Sequence, residues 1–225
     1  MTNRFETRFL ASKSSGEVSA ILDHPDGARW MMVLGHGAGA GMRHRFLEDA
    51  SRALADRGIA TFRYQFPYLE NRASRPDPQP VLLATVRSAV DAARSAAPEL
   101  PLLAGGKSMG GRMTSLASAA EALPGVKGLV FFGFPLHPAG APGTSRAEHL
   151  MRVRTPMLFL QGARDKLAEL DLLRPVVEQL PSPATLHVVD GADHSFGVLK
   201  RSGRTGADVL EELARTVAEW AERLT

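Results

Sequence analysis

Three residues of the chain are of the types that together perform nucleophilic chemistry: Ser108 in "LLAGGKSMGGR" (102–112), Asp165 in "LQGARD" and His194 in "GADHSF". A serine hydroxyl is a weak nucleophile at neutral pH and needs a base within hydrogen-bond reach. An imidazole serves as that base when a carboxylate takes its other ring N–H and fixes the tautomer. Around Ser108 the spacing is Gly-x-Ser-x-Gly, with Gly106 and Gly110 at the flanking positions. That pattern lets a strand turn sharply into a helix, because side chains on either side of the serine would collide. The same stretch holds Gly-Lys-Ser, the tail of a phosphate-binding loop. The loop reading needs a glycine five residues before the Gly-Lys pair, and that position is Pro101, which has no N–H to offer a phosphate.

The elements that would position these residues alternate along the chain. Apolar runs at 28–37, 58–66, 100–106, 126–134, 155–162 and 184–191 are short, nearly continuous and closed by Gly or a turn. Strands covered on both faces of a parallel sheet read this way. The segments 43–57, 80–97, 109–122, 167–180 and 206–223 carry Leu, Val or Ala at helical spacing. The pattern predicts an α/β fold, a mostly parallel twisted sheet with helices on both faces. The polar, alternating first 25 residues, with "SSG" and "DHPDG" as turns, predict an antiparallel edge hairpin. A length of 225 residues suits one domain, 1–225. Two Pro-rich loops, 66–80 and 135–149, are long enough to belong to a site.

In such a sheet ligands collect beyond the carboxyl ends of the strands. Read in chain order, the run endings supply Ser108, Asp165 and His194, which is the order of the α/β-hydrolase triad and of neither chymotrypsin-like nor subtilisin-like proteases. The chain resembles the α/β-hydrolase superfamily over nearly its whole length. More narrowly, "HGAGAG", "GKSMGGR", "FFGFPLHPAG", "GARD" and "GADHSF" resemble the small dienelactone-hydrolase-like group of bacterial hydrolases and its testis-expressed relatives. Phe134 stands where a tyrosine often precedes Pro-Leu-His in that group. The resemblance implies an oxyanion hole formed by the backbone N–H groups of Met109, after the nucleophile, and Ala38, just after "HG".

Other residues invite competing readings. His36 in the "HG" turn and His137 in "FPLHP" are either loop-ordering hydrogen bonders or substrate-pocket residues. His24, His44, His149 and His187 show no metal-ligand spacing. Asp190 and Asp193 compete with Asp165 for the acid, but both lie in the loop that carries His194 rather than at a separate strand end. Lys107 and Arg112 read most simply as solvated or helix-packing residues.

Composition removes several classes. There is no cysteine, hence no disulfide, Cys-ligated metal or cysteine nucleophile. Basic residues exceed acidic ones by only 27 − 24 = 3 and are scattered, and aromatics make up 6%, so neither a basic stripe nor a stacking platform for nucleic acid is visible. No run has the length of a membrane span or the form of a signal peptide, and a cytoplasmic location is expected. An oxidoreductase reading remains open through "GHGAGA", where Gly35, Gly37 and Ala40 fit a dinucleotide fingerprint and Arg63 would meet a 2′-phosphate of NADP. A non-catalytic protein of the same fold acting through a partner is the other alternative. The reading favoured is a serine hydrolase acting on small or medium carboxylic esters, with no cofactor and no metal. About two dozen residues separate the fourth and fifth runs, too few for a multi-helix lid.

Overall fold

The structure, a computed structural model, describes residues 1–224. Eight strands form one sheet: β1 (Thr2–Ser12), β2 (Gly16–Pro25), β3 (Trp30–Gly35), β4 (Ile59–Tyr64), β5 (Leu102–Lys107), β6 (Val126–Phe132), β7 (Met157–Gly162) and β8 (Ala184–Val189). Their order is β1-β2-β4-β3-β5-β6-β7-β8. From β4 to β8 all neighbours run parallel, while β1 pairs antiparallel with β2 and β2 with β4, the expected edge hairpin.

The continuous apolar runs are strands because both faces of the sheet are covered. In β3 all six residues are buried, and they divide by the period of two. Met31 and Val33 pack on the side that carries α3 (Gln79–Ala96), α4 (Met109–Ala120) and α5 (Leu170–Glu178). Trp30, Met32 and Leu34 pack on the opposite side, against α1 (Arg45–Ala55) and α6 (Gly206–Ala221). Local chemistry places the helix starts. Pro lies in the first turn of α3, where a missing N–H costs nothing, and Thr205 with Asp208 forms a capping box on α6. Within the loop 66–80 a short α2 (Pro67–Glu70) forms, and the segment between β6 and β7 holds a 3₁₀ helix at Ser145–Arg152.

The chain leaves β3 for β4 on one side and then returns to β5 on the other. A crevice therefore opens between the loop after β3 and the loop after β5, at the carboxyl edge of the sheet.

The hairpin is tied to this body by a buried ion cluster. Arg63 is fully buried in β4, and its guanidinium donates to Asp23 at 2.7 Å, to Glu48 at 2.6 Å and to the Met42 carbonyl at 3.0 Å. Arg4 adds a second cation, 2.6 Å from Asp23. Arg63 is thus unavailable to a 2′-phosphate, which corrects the expectation drawn from its place at the end of a strand. Burial alone would raise the pKa of Asp23, but Arg4 and Arg63 more than offset it and the pKa is lowered. The cluster's contribution to stability is therefore present above the ordinary carboxylate range and lost as pH falls through the depressed value. Arg63→Met is expected to cost about 3 kcal/mol at neutral pH, because two carboxylates lose their buried partner, with Arg4 limiting the damage. Chemical denaturation checks this, and a variant as stable as wild type would show that the cluster is not a structural tie.

Candidate active site

The site is built at the ends of β3, β5, β7 and β8. β5 ends at Lys107, and Ser108 turns the chain into α4 with φ 50° and ψ −112°, a left-handed conformation unusual for a residue with a side chain. The turn is tight: a Cβ on Gly106 would lie 2.1 Å from the Gly35 carbonyl oxygen, and one on Gly110 would lie 2.2 Å from the same atom. The Ser108 N–H donates to the Phe132 carbonyl at 3.1 Å, so the strained residue is held from the neighbouring strand.

Three sequence-predicted residues come together here. The Ser108 hydroxyl donates to His194 Nε2 at 2.9 Å, and His194 Nδ1–H donates to Asp165 Oδ2 at 2.7 Å. The Asp165 side chain is fully buried and that of His194 is 23% exposed, so a hydrogen-bonded row runs from the core to the surface. Asp193 stands elsewhere. Its Oδ1 accepts the N–H groups of Ser195 and Gly197, both at 2.9 Å, which folds the His194 loop. Phe196 in that loop has φ 63°.

Sequence reasoning missed or misread some of the supporting residues. Gln161 is fully buried in β7; its amide accepts the Phe134 N–H at 3.0 Å and donates to Asp165 Oδ2 at 2.5 Å, the same oxygen that faces His194. The Asp165 Oδ1 takes the Leu167 N–H at 2.8 Å. Lys107 is not a solvated residue. Its ammonium donates to the His194 carbonyl at 2.6 Å and lies 5.8 and 5.5 Å from the ring centres of Phe46 and Phe196. Desolvation pushes its pKa down to about 8 despite the pull of Asp165 and Asp193.

A cleft of about 230 Å3 opens over Ser108 and His194 and is lined by Ala38, Ala40, His44, Phe46 and Lys107 among others. Among the described residues the Ala38 N–H has no acceptor, and the Met109 N–H begins α4, where no intrahelical acceptor exists. Neither Pro-rich loop contributes to the lining. The loop 66–80 acts from behind: Tyr68 accepts the Gly39 N–H at 2.9 Å through its hydroxyl, and Asp77 accepts the Tyr68 N–H at 2.7 Å. Among the described residues no three His, Asp or Glu side chains converge as a metal site.

His36 and His137 do not line the cleft. His36 is fully buried; Nδ1–H donates to the Gly37 carbonyl at 2.8 Å and Nε2 accepts the Phe66 N–H at 3.1 Å, which holds the "HG" loop to the end of β4. Burial keeps its imidazole neutral, with a pKa pushed down to about 4. His137, also buried, has the Pro138 carbonyl 2.8 Å from Nδ1 and the Glu169 carboxylate at Nε2. Burial opposes a charge there, but the carbonyl and the carboxylate outweigh it and raise the pKa. The stabilisation from this pair is therefore complete below the ordinary histidine range and fades as pH rises through the elevated value. Glu169→Gln is expected to lower the melting temperature relative to wild type at pH 6, with the gap closing at pH 9. A gap independent of pH would mean that charge on His137 is not involved.

A family model described as an alpha/beta hydrolase domain matches residues 28–222. A dienelactone hydrolase from Anabaena variabilis has the same fold, with 20% identity and a TM-score of 0.79 over 99% of this chain and 98% of that one. An α/β serine hydrolase without lid from Xanthomonas campestris gives 22% identity and a TM-score of 0.74, covering 98% of this chain and 96% of its own. The esterase domain of a Rhodothermus marinus protein gives 18% and 0.73, covering 98% of each. These likenesses are of fold, and the family match over residues 28–222 shows that the chain belongs to the α/β-hydrolase family.

Proposed function

We propose that the protein is a serine hydrolase that cleaves small or medium carboxylic esters, with Ser108 as nucleophile, His194 as general base and Asp165 as the acid that orients it. The observation that carries this reading is the continuous row Asp165 Oδ2, His194 and Ser108 Oγ, at 2.7 and 2.9 Å, at a turn where Ser108 has φ 50°. As Ser108 Oγ attacks the ester carbonyl, its proton passes to His194 Nε2, and Asp165 favours the imidazolium. Negative charge gathers on the carbonyl oxygen, where the free N–H groups of Met109 and Ala38 would receive it. The imidazolium then returns the proton to the leaving alkoxide, which departs as alcohol and leaves an acyl-Ser108. Water, deprotonated by His194, repeats the attack and releases the carboxylic acid and Ser108.

Gln161 has a role to play in this scheme. By occupying the second lone pair of the oxygen that holds His194, it fixes the carboxylate in the plane the imidazole needs.

A fluorophosphonate probe followed by peptide mass spectrometry is expected to find the adduct on Ser108; an adduct on another serine, or none in a folded sample, overturns the proposal. On p-nitrophenyl acetate, Ser108→Ala and His194→Ala are each expected to lower kcat by about 10³ or more, and the double variant no further, since the two act as one unit. Multiplying losses would separate them. Gln161→Met keeps the volume but removes the amide. It is expected to lower kcat by roughly 10- to 100-fold with KM little changed, as a displaced general base would; loss confined to thermal stability would reduce Gln161 to a packing residue.

A further inference from the structure

The reacting cleft is small. At about 230 Å3 it falls below the roughly 300 to 1,000 Å3 usual for ligand pockets, so it holds a short ester and is outgrown by a longer one. Beside it a groove of about 930 Å3 opens between the N-terminal part of α6 and α1. His44, Phe46 and Ser195 line both spaces, so the groove adjoins the cleft. Its apolar wall is made by Phe46 and Phe196, stacked at 5.5 Å and 14°, together with Ala53, Val209 and Leu210. Several charged residues on its rim are already engaged: Asp49 lies 2.6 Å from Arg52 and 3.4 Å from Arg45, and Glu211 is paired with Arg57. Among the described lining residues no unpaired lysine or arginine remains to recruit an anion.

We infer that this groove is a substrate subsite, taking one uncharged apolar arm, alkyl or aryl, of an ester whose carbonyl lies at Ser108. The inference rests on the serine-hydrolase reading for the position of the carbonyl. An arm longer than the cleft must leave it, and the apolar way out passes over Phe46 into the groove. The Lys107 ammonium lies 5.8 and 5.5 Å from the two ring centres of the stacked pair and also bonds the His194 carbonyl. Occupation of the groove and placement of the base thus share one support. The subsite also explains how a site with no lid selects: by the length and polarity of the arm.

The test is a series of p-nitrophenyl esters from acetate to octanoate, each rate divided by that ester's own hydroxide-catalysed rate. A fully buried methylene gains about fourfold; in a groove open along one side half of that free energy is gained, or roughly twofold. kcat/KM is expected to rise about 60-fold over the six added methylenes. Ala207→Trp, on the exposed first turn of α6 and in the groove wall, is expected to lower the octanoate-to-acetate ratio by at least about tenfold. Leu210→Lys, which puts a charge in the same groove, serves as a second variant if the first does not fold. A flat or falling series, or a ratio unmoved in a folded variant, overturns the subsite. Calorimetry with p-nitrophenyl octyl ether, which is uncharged and cannot be hydrolysed, separates the two claims. Binding by wild type that is lost in Ala207→Trp supports the groove even if no ester is turned over, which would sink only the hydrolase reading. Turnover of acetate without binding of the ether would sink only the groove.

Discussion

β3 and the first turn of α4 touch through backbone alone. The Gly35 carbonyl oxygen is the atom that a Cβ on either Gly106 or Gly110 would strike, and on the other side of β5 a Cβ on Gly105 would come to 1.8 Å from the Val130 carbonyl oxygen. Three consecutive strands therefore pass their carboxyl ends at a separation that admits no side chain between them. This contact brings the end of β3, with the Ala38 N–H, alongside the start of α4, with the Met109 N–H. It also forces Ser108 into its left-handed turn and so aims the hydroxyl out of the sheet. Every other part of the site is placed relative to this pair of loops.

What surrounds the contact serves to hold three more loops against it. Gln161 links β7 to the Phe134 N–H after β6 and to Asp165, so the ends of the two strands are tied together beside Asp165. The Leu136 and His137 N–H groups both donate to the Leu167 carbonyl, and the Leu167 N–H returns to Asp165. Lys107, one residue before Ser108, donates to the carbonyl of His194, whose ring faces Ser108. The supports are hydrogen bonds from rigid strand ends, and the groups they orient are preorganised without closure of a lid.

The strands, the helices and the row Ser108, His194, Asp165 were legible because each reports on its own neighbourhood. An apolar run closed by Gly carries its own period, and a residue just past such a run must lie at the sheet's carboxyl edge. The residues that were not legible depend on partners distant in sequence. Lys107 reads as solvated until Phe46 and Phe196, 61 and 89 positions away, meet over its ammonium. Arg63 looks like a ligand-binding strand end because Asp23 and Glu48 give no local sign of reaching it. His36 and His137 stand in loops typical of pockets, yet each spends both ring nitrogens on the protein itself. Gln161 did leave a signal, since a lone amide inside "MLFLQG" must find buried partners, but the pattern does not say which.

The glycines of β5 have neighbouring backbone where a side chain would stand, so the bulk around the elbow comes from other segments. In register beside Gly106 stands Phe131, whose ring comes within 3.2 Å of where a Gly111 Cβ would be and packs at 4.9 Å on Phe159 and 5.4 Å on Phe134. An aromatic layer from β6, the loop after it and β7 thus packs beside the elbow. Mutational tolerance is uneven as a result. At the centre of the sheet one strand cannot gain an atom and its neighbour cannot lose a ring, the latter at about 3 to 5 kcal/mol for truncation to alanine. Substitutions in this chain are therefore expected to be borne best on the helices' solvent faces.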